Sequence, residues 1–146
     1  LKVAAYKGGY TPGENGAMAL HFEKYFAPPD CFAKKWFTIL AFRGDELIGR
    51  INFIRSSTDV RHWYLGDLSV KSTERRKRIA SRMLQRGIDR IRQNGNGDEY
   101  ICAYIEEDNT ASICLHTKFG FADTGKCQPF EDFVFGENET TYRMNL

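Results

Sequence analysis

Leu68-Ser69-Val70, followed after a gap of four residues by Arg75-Arg76-Lys77-Arg78-Ile79-Ala80-Ser81, reads as an apolar strand end, a short loop and the basic N-terminus of a helix. The first turn of a helix presents unpaired backbone N–H groups and about half a positive charge, so each cation placed there is disfavoured by about 0.3–1 kcal/mol. Four consecutive basic residues make electrostatic sense when an anion such as a phosphate or pyrophosphate docks on that turn and reverses the sign. A solvated basic face is the competing reading.

The neighbouring sequence extends this unit in both directions. A strand is expected over 63–70, and Gly66 in its middle marks a bulge or a place where a ligand approaches the backbone. A helix is expected over 75–93, with Ile79, Met83, Leu84, Gly87, Ile88 and Ile91 on one face and arginines on the other. Asn94-Gly95-Asn96-Gly97 ends it, and a buried-type strand follows over 100–105, which makes the helix the crossover that a parallel strand pair needs. Asn109 is placed to N-cap a further helix in which Ala111, Cys114, Leu115, Lys118 and Phe119 recur until Gly120 stops it. Upstream, 37–42 and 46–54 form a hairpin about Gly44-Asp45, residues 1–6 suit an edge strand, and a helix over 17–25 is closed by Pro28-Pro29. Downstream, strands are expected at 132–135 and 141–146.

With 146 residues, 42% of them hydrophobic, and no polar linker or repeat, the chain reads as one domain over 1–146. No apolar run approaches the roughly 20 residues of a membrane span. The N-terminus lacks the order of a secretory signal, although the chain opens on Leu1 and an upstream segment is expected. Cys31, Cys102, Cys114 and Cys127 are spaced too widely for zinc or redox motifs, so no metal is expected. Two of them sit in apolar segments as small hydrophobes, which suits a reducing, cytoplasmic setting. The net charge of +2 conceals a basic end around 75–92 and an acidic end at Asp123, Glu131, Asp132, Glu137 and Glu139.

This order of elements, together with two local patterns, resembles the GNAT superfamily of acyl-CoA-dependent N-acetyltransferases. The strand ending at Val70 and the run Arg75 to Ala80 match the ends of the family's Q/R-x-x-G-x-G/A motif, with Arg78 where its central glycine usually stands. Asn109-x-Ala111 running to Lys118-Phe119-Gly120-Phe121 resembles its Asn-x-x-Ala helix ending in Gly-Phe. The resemblance implies an α/β (α+β) fold: a mixed sheet of six to seven strands with a splayed central parallel pair, flanked by about four helices. It implies acetyl-CoA as cosubstrate, its pantetheine against the backbone of Leu68, Ser69 and Val70 and its pyrophosphate on Arg75, Arg76, Lys77, Arg78, Ile79, Ala80 and Ser81, with Asn109 nearby. Gly66-Asp67 is then the bulge.

Acetyl transfer to an amine requires a neutral amine, stabilisation of the oxyanion, and a proton for the departing thiolate. Where the family commonly places a proton-donating tyrosine, four residues before the glycine of Gly-Phe, this chain has His116. It equally reads as a helix-surface histidine. Asp67 and Glu106 are candidate bases for the amine, or a bulge-stabilising residue and a solvated strand end; a glutamate found in some family members is replaced by Tyr104. The acceptor is expected between the segments 11–35 and 125–140, among aromatics such as Tyr25, Phe26, Trp36, Phe130 and Phe133, with the nearby acids favouring a cationic amine. A homodimer is admissible; neither nucleic acid nor membrane is an expected partner. A GNAT-fold protein that binds acyl-CoA without transferring it is a second reading. A basic nucleic-acid-binding domain is a remote third, opposed by the apolar face of the arginine-rich helix.

Overall fold

The structure is a computed structural model that describes residues 2–7, 36–95, 97–131, 133 and 135–146. Its strands are β1 (Lys2–Lys7), β2 (Trp36–Arg43), β3 (Glu46–Arg55), β4 (His62–Val70), β5 (Tyr100–Glu106), β6 (Ala122–Asp123) and β7 (Glu139–Asn145). Its α-helices are α1 (Ile79–Asn94) and α2 (Thr110–Lys118), and a 3-10 turn covers Ser72–Glu74. The seven strands form one sheet in the order β1-β2-β3-β4-β5-β7-β6. Every neighbouring pair is antiparallel except β4–β5, which α1 joins as the crossover. The expected mixed sheet and edge strand are therefore present, while the expected helix over 17–25 lies outside the described residues.

Alternation along the strands sorts side chains to two faces. On one face Phe37, Ile39, Ile51, Phe53, Trp63, Leu65, Ile101 and Met144 bury the apolar side of α1, where Ile79, Met83, Leu84, Ile88 and Ile91 are at most 2% exposed. The arginine-bearing side of α1 is left outward. Gly87 is the point of closest approach, since a Cβ there would stand 2.1 Å from the Phe53 ring.

Three sequence expectations change. Of the expected strand over 132–135, the described residues Phe133 and Phe135 belong to no strand: Phe133 forms an isolated bridge with Phe130, and both pack with Tyr64 and Tyr104. On α2 the buried side chain is His116, whereas Ala111, Cys114 and Lys118 face outward. The apolar spacing suggested a rotation of that short helix that tertiary contact with Phe121 overrides. Cys102 is buried as expected, but Cys114 and Cys127 are exposed.

Gly87→Ala tests the helix–sheet contact. Alanine gains about 1 kcal/mol of helix propensity, but the added methyl must displace a Phe53 ring that is fully buried and stacked on Phe37 at 4.9 Å. Overpacking of that kind costs about 1–3 kcal/mol. A net loss of stability in urea unfolding is the expected outcome; a gain would show that the helix can shift away.

Candidate active site

The site begins with an interrupted ladder. β4 and β5 pair only from His62↔Tyr100 to Leu65↔Ala103. Beyond that point β4 stays on β3 and β5 stays on β7, so the facing edges of 66–70 and 104–106 part. A bulge accompanies the parting. Arg50 pairs with Ser69 and Asn52 with Gly66, which sets Asp67 and Leu68 against the single residue Ile51. Asp67 takes a φ of 53° there, a left-handed conformation uncommon for a residue other than glycine. The opening is a slot whose β4 wall carries backbone polar groups without a β5 partner, the geometry an extended ligand can complete.

At the C-terminal end of β4 the chain turns through Ser72–Glu74 into the basic run. Here the helix begins later than its sequence suggests: α1 starts at Ile79, with Arg78 as its N-cap. Arg75, Arg76, Lys77 and Arg78 therefore precede the helix instead of occupying its first turn, which removes part of the dipole penalty. Arg76 and Arg78 adopt φ values of 62° and 61°, so the run cannot continue helical geometry backwards, and Ile79 is the first residue to reach the core. The backbone N–H groups of 76–81 bond to no described residue, and the first helical bond is Arg82 N–H to the Arg78 carbonyl. Left-handed residues beside a helix N-terminus turn successive N–H groups toward one concavity, an anion-binding arrangement. The side chains of Arg76 and Arg78 are exposed and make no bond to a described residue, whereas Lys77 and Arg43 pair with Glu74 at 3.2 and 2.7 Å.

His116 lies inside the molecule, 2% exposed and edge-on to Phe121 at 5.2 Å. Its Nδ1 stands 2.7 Å from the Ser112 carbonyl, which can only accept, so Nδ1 carries a hydrogen. Nε2 is buried without a partner among the described residues. Burial pushes the imidazole pKa below 6.5, partly opposed by the Ser112 carbonyl. At neutral pH the ring is thus uncharged with a lone pair on Nε2, which takes up a proton before it can donate one. Asn109 caps α2 by accepting from the Ser112 N–H at 3.1 Å.

Asp67 and His116 are not brought together: Asp67 belongs with Arg50 and Asn52 on the sheet face away from α1, while His116 packs in the layer beneath α1 and α2. Asp67 lies 2.5 Å from Arg50 Nε and accepts from Asn52 Nδ2 at 3.5 Å; Asn52 in turn accepts from Thr38 Oγ1 at 2.7 Å. Thr38 and Asn52 are fully buried. The sequence reading missed this polar row, although Arg50 and Asn52 at alternating positions of an apolar strand are its visible signal. Glu106 is exposed at the end of β5, where it, Glu107, Asp108, Glu137 and Glu139 line an acidic hollow of about 420 Å³. Burial raises the Tyr104 phenol well above its ordinary pKa, so Tyr104 cannot replace a glutamate as a base.

Glu131 has a different use from the one its charge suggested. Its carboxylate accepts from Ser56 Oγ and from the Ser57 N–H and hydroxyl, the latter two at 2.8 Å. Burial would raise its pKa, but these bonds outweigh it and hold the group below the usual carboxylate range. It fastens the segment before β7 to the β3–β4 turn. Asp132 lies outside the described residues. Among the described residues no three His, Cys, Asp or Glu side chains are placed to hold a metal ion, and no helix is long and apolar enough to cross a membrane.

Residues 6–121 match the family model described as Acetyltransferase (GNAT) family. The chain belongs to the GNAT acetyltransferase family. No curated protein matches it in sequence. Among solved structures, Escherichia coli ElaA is similar with a TM-score of 0.69 at 12% identity, covering 97% of this chain and 99% of that one. The PaiA N-acetyltransferase of Thermoplasma acidophilum, solved in complex with coenzyme A, gives a TM-score of 0.58 at 15% identity over 76% of this chain and 60% of that one. Salmonella typhimurium yncA, solved with acetyl-CoA, gives 0.61 at 22% identity over 75% and 64%. The chain thus spans less than two thirds of the length of these last two proteins.

Arg78→Gly tests the left-handed turn. An L-residue there carries about 1–2 kcal/mol of strain, whereas glycine loses about 0.4–1 kcal/mol through the freedom of its unfolded chain. Unfolding free energy equal to or slightly above that of the parent is expected in denaturant titrations. A marked loss would show that the Arg78 side chain holds the loop.

The buried His116 also predicts a pH dependence. Its folded pKa is depressed, so the unfolded chain binds the proton more readily below about 6.5, and folding stability falls as pH drops through that value toward the folded pKa. His62, likewise depressed chiefly by burial, contributes to the same slope. The difference between unfolding curves of the parent and His116→Phe therefore isolates His116, and the stability of the parent relative to the variant should fall from pH 7 to pH 5. A constant difference would contradict the neutral, buried imidazole.

Proposed function

We propose that this protein transfers an acetyl group from acetyl-CoA to a primary amine of a small molecule or peptide by direct attack in a ternary complex. The observation that carries the reading is the coincidence, at one end of β4, of a slot between parting parallel strands and a concavity of unpaired N–H groups. A pantetheine arm is an extended chain bearing amides and its pyrophosphate is an anion, so the two halves of the cosubstrate meet matching surfaces.

In this reading the backbone of Leu68, Ser69 and Val70 bonds the pantetheine and steadies the thioester oxygen as it becomes an oxyanion. The N–H groups of Arg76 to Ser81 and the basic side chains of 75–78 receive the pyrophosphate, and Asn109 orders the helix beyond. The amine nitrogen attacks the thioester carbon, the C–N bond forms, the C–S bond breaks, and the amine's proton passes to a base. Asp67 and Glu106, on the face away from α1, are the candidate bases; the acids around Glu106 also favour an amine that arrives as its ammonium. His116, from the opposite face, protonates the departing thiolate. The base has taken the ammonium's proton; the second proton, which the nitrogen sheds as the C–N bond forms, is taken up by the Nε2 lone pair of His116 and delivered to the sulfur as the C–S bond breaks. The absence of a proton on neutral Nε2 equally favours the second reading, a GNAT-fold acyl-CoA binder that does not transfer.

Calorimetry with acetyl-CoA tests the first half. Micromolar binding is expected, weakening with salt, and Arg76→Glu should weaken it more than Arg92→Glu, because Arg76 stands at the concavity and Arg92 in the last turn of α1. No heat at millimolar acetyl-CoA would defeat both readings. A radiolabelled acetyl-CoA assay on a pooled amine library separates them: transfer to an amine supports the enzyme, and thioester hydrolysis alone supports the binder. In the transferase, His116→Phe should lower turnover about a hundredfold while acetyl-CoA binding survives.

A further inference from the structure

A cavity of about 620 Å³ lies on the β3 side of β4, lined by Arg50, Ser69, Val70, Glu46, Ser72 and Arg75 among others. It is separate from the acidic hollow at the end of β5 and falls in the size range of small-molecule sites. Arg50 and Ser69 are register partners, so their side chains share the face that bears Asn52.

Arg50 is the feature that calls for a ligand. Its side chain is 8% exposed, and its Nε pairs with Asp67 at 2.5 Å. A guanidinium has five N–H donors and loses several kcal/mol of hydration on burial unless they are met. Its two terminal NH2 groups bond to no described residue, and they are not among the atoms sealed from solvent. They belong to a side chain that lines the cavity. The planar edge they form matches the two oxygens of a carboxylate. A doubly charged phosphate fits the rim less well, because Asp45 and Glu46 also line it and Lys71 is already paired with Glu46.

We infer that the acceptor is an amino acid, an amine bearing a carboxylate a few bonds away, and that Arg50 seats that carboxylate. The inference rests on the acetyl-transfer reading and names the substrate class of the same site. Asp67 ties the two ends together: it pairs with Arg50 and it is the bulged residue of β4 at the edge of the slot. An acceptor whose carboxylate sits on Arg50 is thereby placed beside the bulged edge of the slot. Arg50 acts here as a specificity residue, and the two N–H donor groups it offers are distinct from the acids of the hollow at the end of β5.

The test compares α-, β- and γ-amino acids with their carboxamides as acceptors, using acetyl-CoA and following both acetylated product and the melting temperature of the acetyl-CoA complex. In the parent protein the free acids should exceed their amides by about tenfold or more in kcat/KM. In Arg50→Gln that ratio should collapse to within about threefold. Arg50→Lys, which keeps the charge opposite Asp67 and so protects the fold, should lower the ratio while calorimetric acetyl-CoA affinity stays unchanged. A parent ratio near one or favouring the amides would overturn the inference, as would a ratio that both variants leave intact. So would a panel in which no free acid is acetylated or raises the melting temperature although acetyl-CoA binds. Failure of acetyl-CoA to bind at all would instead remove the acetyl-transfer reading, and this inference with it.

Discussion

The parallel pairing of β4 with β5 stops after four residue pairs, and the rest of the site depends on that stop. A sheet normally satisfies its backbone by continuing the ladder. Here the bulge at Asp67 turns β4 away while β3 on one side and β7 on the other keep each strand anchored. The unpaired edges are thereby held open by well-formed neighbours, not by local disorder. The same departure delivers the chain into the Ser72–Glu74 turn and the left-handed residues Arg76 and Arg78, which aim the N-terminus of α1 at the mouth of the opening.

Holding that arrangement requires a rigid floor. Gly87 lets α1 sit against the Phe53 ring, and Phe53 stacks on Phe37, so the helix axis is fixed relative to β3 within the tolerance of a methyl group. On the other face Tyr64 packs against Phe130, Phe133 and Phe135, and Tyr104 stacks on Phe135 with ring centroids 3.4 Å apart. Burial lifts the Tyr64 phenol to about 12, with Glu139 and Asp67 adding to the rise, so the cluster is neutral at any pH at which the fold is used. It joins the segment before β7 to the two strands that part, and Glu131 fastens the same segment to the β3–β4 turn.

The two faces carry different electrostatics. Beneath α1 and α2 the environment is dry, and it renders His116 neutral. The opposite face contains the row Thr38, Asn52, Asp67 and Arg50, linked in sequence by the Thr38–Asn52 and Asn52–Asp67 hydrogen bonds and the Asp67–Arg50 ion pair. In the transfer proposed here, a site open between them would receive the anionic cosubstrate and a smaller acceptor together, as attack without a covalent enzyme intermediate requires.

Much of this was legible in the residues themselves. The hairpin about Gly44-Asp45, a bulge in the strand next to Gly66, although displaced by one residue to Asp67-Leu68, the apolar face of α1 and the cap at Asn109 follow from local rules: turn chemistry, glycine, a 3.6-residue period and a side chain that bonds its own helix. The basic run stood out because cations conflict with a helix N-terminus, a conflict computable from composition alone. Where that run actually lies was not legible: only the requirement that Ile79 reach the core, with Arg76 and Arg78 turned left-handed, moves the helix start past it. The rotation of α2, which buries His116 and exposes Cys114, depends on Phe121 arriving from beyond the helix. The same holds for Glu131, whose partners are 74 and 75 residues away, and for Arg50, whose partner Asp67 is on the next strand. Sequence determines periodicity and local conformation because those energies act over a few residues; hydrogen-bond partners and burial are set by which distant segments the sheet brings together, and the surroundings of His116, Glu131 and Arg50 were decided there.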